Sequence, residues 1–283
     1  MPALPKIFAH CPCVVAEGPR WCAAEGTLYW VDVTAGRCLR ARDGADAETF
    51  ECVDPQLGKI GAAIPLGGER VRLFTERCEV WDMAFGERPE LRGRLAGHES
   101  RRFNDVLADG GRFFCGVARE PGLPGELWRL SADGSFDLIE PTTNGMPNGM
   151  GVSPDGKTFY FTVTDEKRIY AYDYDRMSGA LSRRQVLCED FAEPGMPDGM
   201  CVDSADGSLW VAMWDGGRLE HRSADGRLIG SVPFPMKKVT SVEVAGERLF
   251  VTTGNKEPDA EAYFKATGAG SVFVISRKDR ESE

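Results

Sequence analysis

Apolar residues along this chain fall into short runs rich in β-branched and aromatic side chains: Leu28 to Val33, Val71 to Thr75, Arg112 to Val117, Thr158 to Val163, Ser208 to Met213 and Arg248 to Thr252. Asp-Gly and Gly-Gly pairs punctuate the intervals between them. Such runs bounded by tight-turn residues read as β-strands. No window of a dozen residues free of Gly and Pro sustains an apolar period of 3.6, which disfavours helix-rich and alternating βαβ architectures. The pattern predicts a nearly all-β protein.

The turns recur in one form. Ser131-Ala-Asp-Gly134, Ser153-Pro-Asp-Gly156, Ser204-Ala-Asp-Gly207 and Ser223-Ala-Asp-Gly226 share Ser-x-Asp-Gly, a sequence suited to tight strand reversals. Aligning the segments that precede each apolar run places Glu17, Ile60, Asn104, Asn148, Asp198 and Ser241 at equivalent positions, separated by 43, 44, 44, 50 and 43 residues. A repeat of this length with four short strands per unit is the mark of a β-propeller, in which each blade buries its faces against its neighbours. The expected fold is therefore an all-β, six-bladed propeller with four-stranded antiparallel blades. It forms a single domain over residues 1–283, closed by an N-terminal strand near residues 7–15 that joins the last blade.

Composition narrows the partners. The 283 residues include 42% hydrophobic ones, enough for a full core, and 34 basic against 44 acidic residues give a formal charge of −10. An acidic chain with no Lys/Arg block lacks the clustered cations that bind a phosphate backbone, so nucleic acid is not an expected partner. No stretch approaches 18 apolar residues, and residues 1–20 hold no continuous apolar segment of an export signal. No membrane association is expected, and the protein is expected to be cytoplasmic. Most of its nine cysteines are then expected to be reduced thiols and small buried apolar residues. Cys11-Pro-Cys13 has no second Cys pair at zinc-like spacing and is not read as a metal site.

In a propeller, equivalent positions of the blades converge on one end of the central channel. Those positions carry Glu17 in Ala-Glu-Gly-Pro-Arg-Trp, Asn104 in Arg102-Phe-Asn-Asp105, Asn148 in Pro147-Asn-Gly-Met150 and Asp198 in Pro197-Asp-Gly-Met200. Four oxygen-bearing side chains on one axis, two of them carboxylates, suit a hard divalent cation. Asn or Asp before Gly also simply makes turns, which leaves Asn148 and Asp198 open between the two readings; a turn does not account for Glu17. The three histidines, His10, His98 and His221, form no zinc-binding pattern, and no Gly-x-Ser-x-Gly elbow occurs. Gly151 to Thr158 matches the phosphate-loop pattern by letter, but its Pro154-Asp-Gly turn leads into a β-branched run rather than a helix.

Four motifs in order at blade spacing resemble the senescence marker protein (regucalcin), gluconolactonase and luciferin-regenerating family over almost the whole chain. They are Glu17-Gly-Pro-Arg-Trp with Trp30-Val-Asp-Val33, Arg102-Phe-Asn-Asp105, Asn148-Gly-Met with Ser153-Pro-Asp-Gly, and Pro197-Asp-Gly-Met200 with Leu209-Trp-Val-Ala212. The resemblance implies that Glu17, Asn148 and Asp198 ligate one divalent metal, with calcium expected first and magnesium, manganese or zinc as alternatives. It implies that Asn104 lies beside the metal and that Arg102 and Asp105 contact substrate hydroxyls. It further implies hydrolysis of a small-molecule sugar lactone, an aldonolactone, to its hydroxy acid. Asp198 would double as ligand and general base, and Asn104 would donate to the carbonyl or developing oxyanion. Glu120, in the Arg119 to Gly125 loop, is a further expected substrate contact. A phosphotriesterase or aryl esterase on the same scaffold, or a calcium-binding propeller without turnover, are the alternative readings.

Overall fold

A computed structural model of the chain describes residues 5–42, 50–141 and 145–277. Its 24 strands form six four-stranded antiparallel sheets arranged as blades of a propeller. The innermost strands, in blade order, are Ala16–Cys22, Ile60–Gly67, Phe103–Asp109, Pro147–Val152, Met196–Val202 and Lys238–Ala245. Each packs against the innermost strands of both neighbouring blades, so the six line a central channel.

The apolar runs of the sequence are the second strands of the blades: Thr27–Asp32, Arg70–Thr75, Arg112–Val117, Thr158–Val163, Leu209–Trp214 and Arg248–Gly254. They are buried on both faces, because each is sandwiched between two neighbouring sheets, and so they show no apolar/polar alternation. The core is correspondingly divided into six layers, one between each pair of adjacent blades. Tyr29 and Val31 of blade 1 meet Leu73 and Met83 of blade 2, for example, and Phe114 of blade 3 meets Phe159 and Phe161 of blade 4. The Phe114 and Phe159 ring centroids are 4.6 Å apart.

The N-terminal strand of the described residues is shorter than the expected span of residues 7–15. Lys6–Ala9 pairs antiparallel with Val272–Ser276 as the outermost strand of blade 6, with Lys6 opposite Val274 and Ile7 opposite Phe273. Pro12 has no amide proton to give a ladder, and the chain leaves the sheet after Ala9 to cross toward blade 1. One α-helix, Ala260–Thr267, interrupts blade 6. Asp259 caps it by accepting from the Ala262 N–H at 3.1 Å, and Gly268 closes it with φ of 74°. The Ser153–Gly156 segment is a turn, with the Gly156 N–H donating to Ser153 O at 2.8 Å, and Thr158 opens a strand. The phosphate-loop match is a hairpin.

A register break recurs near the start of every innermost strand, between Glu17 and Arg20, Ile60 and Ala62, Phe103 and Val106, Pro147 and Met150, Pro197 and Met200, and Val239 and Ser241. Such bulges re-aim side chains. The glycine after Asn148 serves a second purpose, because a Cβ at Gly149 would lie 2.2 Å from the Met200 amide nitrogen and 2.8 Å from the Gly199 carbonyl carbon. Backbone cannot swing aside as a side chain can. Gly149→Ala is therefore expected to cost about 1–3 kcal/mol by forcing blades 4 and 5 apart, whereas Gly93→Ala, with open space around its Cβ, should be close to neutral. Urea unfolding midpoints of the two variants at unchanged m-value measure the difference; equal midpoints would contradict it.

Candidate functional site

The bulges bring the equivalent residues of four blades to one end of the channel. Glu17, Asn104, Asn148 and Asp198 line a cavity of about 310 Å³ there, together with Arg102, Thr164 and Trp214. Glu17, Asn148 and Asp198 are buried. Ile60 and Ser241, from the two remaining blades, complete the ring of positions without joining the cavity wall.

A chain of hydrogen bonds fixes the amide side of the site. Arg102 Nη1 donates to Asn104 Oδ1 at 2.7 Å; Asn104 Nδ2 donates to Pro147 O at 2.7 Å and to Asn148 Oδ1 at 2.5 Å. Asn148 Nδ2 in turn donates to Thr164 Oγ1 at 2.6 Å, and the Thr164 hydroxyl donates to Pro197 O at 2.7 Å. Both amide protons of Asn104 are thus committed. In this arrangement Asn104 positions Asn148 rather than offering a proton to a substrate carbonyl. Thr164 was not legible as a site residue: it follows the blade 4 strand as the first residue of a single 3-10 turn, and only the fold puts its hydroxyl between Asn148 and blade 5.

The carboxylate side is different in character. Glu17 Oε2 is buried with no hydrogen-bond partner, and neither Glu17 nor Asp198 forms an ion pair among the described residues. Burial pushes the Glu17 carboxyl well above the usual carboxylate range, and the charges of Asp198 and Asp105 push it further. Asp198 is raised well above its usual range by burial and by Asp105. Asp105 is itself pushed up to about 6 by burial, against the pull of Arg20 and Arg102. Three carboxyl groups thus share a buried space that opposes their ionisation.

Asp105 is buried facing Arg20 and Arg102 and does not line the cavity. Glu120 is exposed, paired through its backbone with Leu123, and also lies off the cavity wall. The loop that carries it contributes Arg119 instead, which forms a two-bond ion pair with Asp165 at 3.1 and 3.0 Å. Among the described residues no three His, Cys, Asp or Glu side chains are placed to hold a metal ion by themselves, so a metal site built on Glu17 and Asp198 would draw on a further oxygen such as the amide oxygen of Asn148. The histidines serve packing: His221 stacks on Trp210 at 4.0 Å, and His98 bonds Glu126 at 2.8 Å.

Residues 15–255 match the model of the SMP-30/Gluconolactonase/LRE-like region. The chain belongs to this family. Within it, the chain is 40% identical over 273 residues to the pentonolactonase XacC of Haloferax volcanii, covering 93% of this chain and 91% of that protein. It is 32% identical over 283 residues to the L-arabinolactonase of Azospirillum brasilense, covering 93% and 89%. Enzymes named as lactonases therefore match it over most of its length. In fold it is similar to the luciferin-regenerating enzyme, with a TM-score of 0.85 at 27% identity over 96% of this chain and 95% of that one.

Proposed function

We propose that this protein is a metal-dependent lactonase that opens an aldonolactone to the corresponding hydroxy acid. The observation that carries the reading is the cavity floor, where the buried carboxylates of Glu17 and Asp198 meet the fixed amide of Asn148. The relatives that share most of the chain, a pentonolactonase and an L-arabinolactonase, support the substrate class.

The donor set fits a hard divalent cation. Two carboxylates that burial drives toward protonation gain a counter-charge when such an ion binds, and Glu17 Oε2 gains a partner. Glu17, Asn148 and Asp198 would hold it, and an all-oxygen set suits calcium, magnesium or manganese, of which calcium is the first to test. When bound, the ion supplies Lewis-acid polarisation of a carbonyl and a more acidic water. The protein's own groups do the rest. The Asp198 carboxylate accepts the proton of the attacking water and returns it to the ring oxygen as the acyl C–O bond breaks, yielding acid and alcohol in one molecule. Arg102, held by Asn104, presents its remaining N–H groups to substrate hydroxyls on the cavity wall. Proton release from aldonolactones, faster than spontaneous ring opening, is the test of activity.

The metal assignment has its own test. Carboxyls raised in the folded state hold protons there that the unfolded chain has already released. Stability of the metal-free protein is therefore expected to fall as pH rises from about 4 through 6 and beyond, the range between ordinary carboxyl values and the raised ones. Calcium binds the ionised form and should reverse that loss. Thermal melts from pH 5 to 8, with chelator and with calcium, check this. A calcium-induced rise in Tm that grows with pH and disappears in Glu17→Gln is expected; a Tm indifferent to calcium would count against the assignment.

A further inference from the structure

The cavity mouth carries more positive charge than the site below it uses. Four cationic residues, Lys59, Arg102, Arg119 and Lys256, line the cavity against three carboxylates, Glu17, Asp165 and Asp198, in a chain whose formal charge is −10. Two of those carboxylates are the metal ligands of the floor, and Asp165 is taken by Arg119. Arg102 directs its Nη1 to Asn104 and Phe103 O, and its other N–H groups face substrate hydroxyls in the reading above. Lys59 and Lys256 are left.

Both lysines are exposed, and neither forms an ion pair among the described residues. Lys59 precedes the innermost strand of blade 2 and Lys256 follows the second strand of blade 6, so the two flank blade 1, whose Thr34 lines the cavity between them. Two carboxylates in the adjoining chain have other partners, Asp215 with Lys238 at 2.5 Å and Glu257 with Lys237 at 3.9 Å, while Glu76, beside Gly58, forms no ion pair among the described residues. Lys256 Nζ lies 5.6 Å from the Trp214 ring, itself part of the cavity wall, which holds the ammonium at the rim.

A neutral sugar lactone leaves these charges without a counter-charge, because the charge that develops in ring opening appears at the carbonyl, over the floor. From this we infer that the preferred substrate carries an anionic oxo group, a phosphate, sulfonate or carboxylate, on a carbon remote from the lactone carbonyl. Lys59 and Lys256 bind that group from either side of blade 1. The inference rests on the lactonase reading and specifies its substrate class.

Two measurements test it. The first compares kcat/KM for 6-phosphoglucono-lactone with that for glucono-lactone, with a glucaric acid monolactone and a 6-sulfonated gluconolactone as the other anionic arms. The second measures binding of 6-phosphogluconate and of gluconate by calorimetry in the calcium-loaded protein, and needs no turnover. At least one anionic lactone is expected to be favoured over the neutral one, with the best arm naming the group. Lys59→Ala and Lys256→Ala should each lower that preference by about fivefold, the upper range for an exposed charge pair, and the double variant more. The preference should also shrink as salt is raised. Equal kcat/KM for charged and neutral lactones, or a preference that survives the double variant, would overturn the inference. Lysine-dependent binding of 6-phosphogluconate without hydrolysis of any lactone would support the anion site and overturn the lactonase reading alone.

Discussion

Asp198→Asn is expected to lower lactone hydrolysis by about a thousandfold or more while leaving a folded and, without metal, more stable protein. On the proposed reading the loss has two sources at one carboxylate: the variant removes a metal ligand and removes the group that accepts a proton from water, the latter alone worth a factor of about 10²–10⁴. The gain in stability follows from the same burial. Asp198 is 4% exposed, and both its surroundings and Asp105 oppose its ionisation, so the neutral amide relieves a strain that the metal-free wild type keeps. Opposite signs for activity and stability are what a site built for a cation should show, as active-site groups commonly trade one for the other. Rates and melts of the two proteins, measured in chelator and in calcium, read both. Activity within tenfold of wild type, or a Tm well below it in chelator, would show that Asp198 is structural.

The largest expected effect on stability lies far from the cavity, in blade 5. Arg222 is fully buried, with Nε at 2.9 Å from Glu220 Oε2, Nη1 at 2.6 Å from Asp190 Oδ1 and at 2.8 Å from Gly226 O, and its guanidinium 4.2 Å from the Phe191 ring centre. Glu220 is 1% exposed and accepts from Arg218 as well, at 2.9 and 2.7 Å. Arg222→Met fills the volume but strands part of a buried carboxylate, and breaking such a pair costs about 3–5 kcal/mol. The remaining Arg218 contact puts the expectation at the low end, about 3 kcal/mol, or a Tm lower by roughly 6–12 °C. Replacing both partners, Arg222→Met with Glu220→Leu, should recover part of that loss, since the stranded buried carboxylate is gone while Arg218 keeps its bonds to the Pro194 and Ala192 carbonyls. A single variant as stable as wild type, or a double variant no better than the single, would mean the pair contributes little.

The propeller was legible because its most buried strands are its most apolar ones. Thr27–Asp32 and its five equivalents are covered on both faces, so each stands out as a short continuous run, and their recurrence at blade-length intervals gives the blade count. The outermost strands did not stand out. Glu90–Arg94 and Ala180–Cys188 are mostly exposed, and their sequences carry little apolar pattern to read. The helix Ala260–Thr267 escaped because it has only eight residues and no buried side chain, so its caps rather than an apolar face define it.

The same logic divides the site. Glu17, Asn104, Asn148 and Asp198 could be found because the fold repeats them at one register position, and a bulge at that position in each blade turns them inward. Thr164, Lys59, Lys256 and Trp214 come from segments outside that register, and their convergence depends on closure of the ring. The family resemblance suggested Asp105 as a substrate contact and the Arg119 to Gly125 loop suggested Glu120, yet one is buried toward Arg20 and the other stands outside the cavity wall. Adjacent residues in a strand point to opposite faces, so Asn104 and Asp105 do not both reach the wall.

In the proposed reading Glu17, Asn148 and Asp198 take a divalent cation on which lactone opening depends. Proton release from five- and six-membered aldonolactones in weak buffer, after chelation and again with calcium, magnesium, manganese or zinc restored, tests it most directly. Acceleration over spontaneous hydrolysis that is lost with chelator, returns with metal and is absent in Asp198→Asn is the expected result. Undiminished hydrolysis in chelator, or none with any metal restored, would contradict the account.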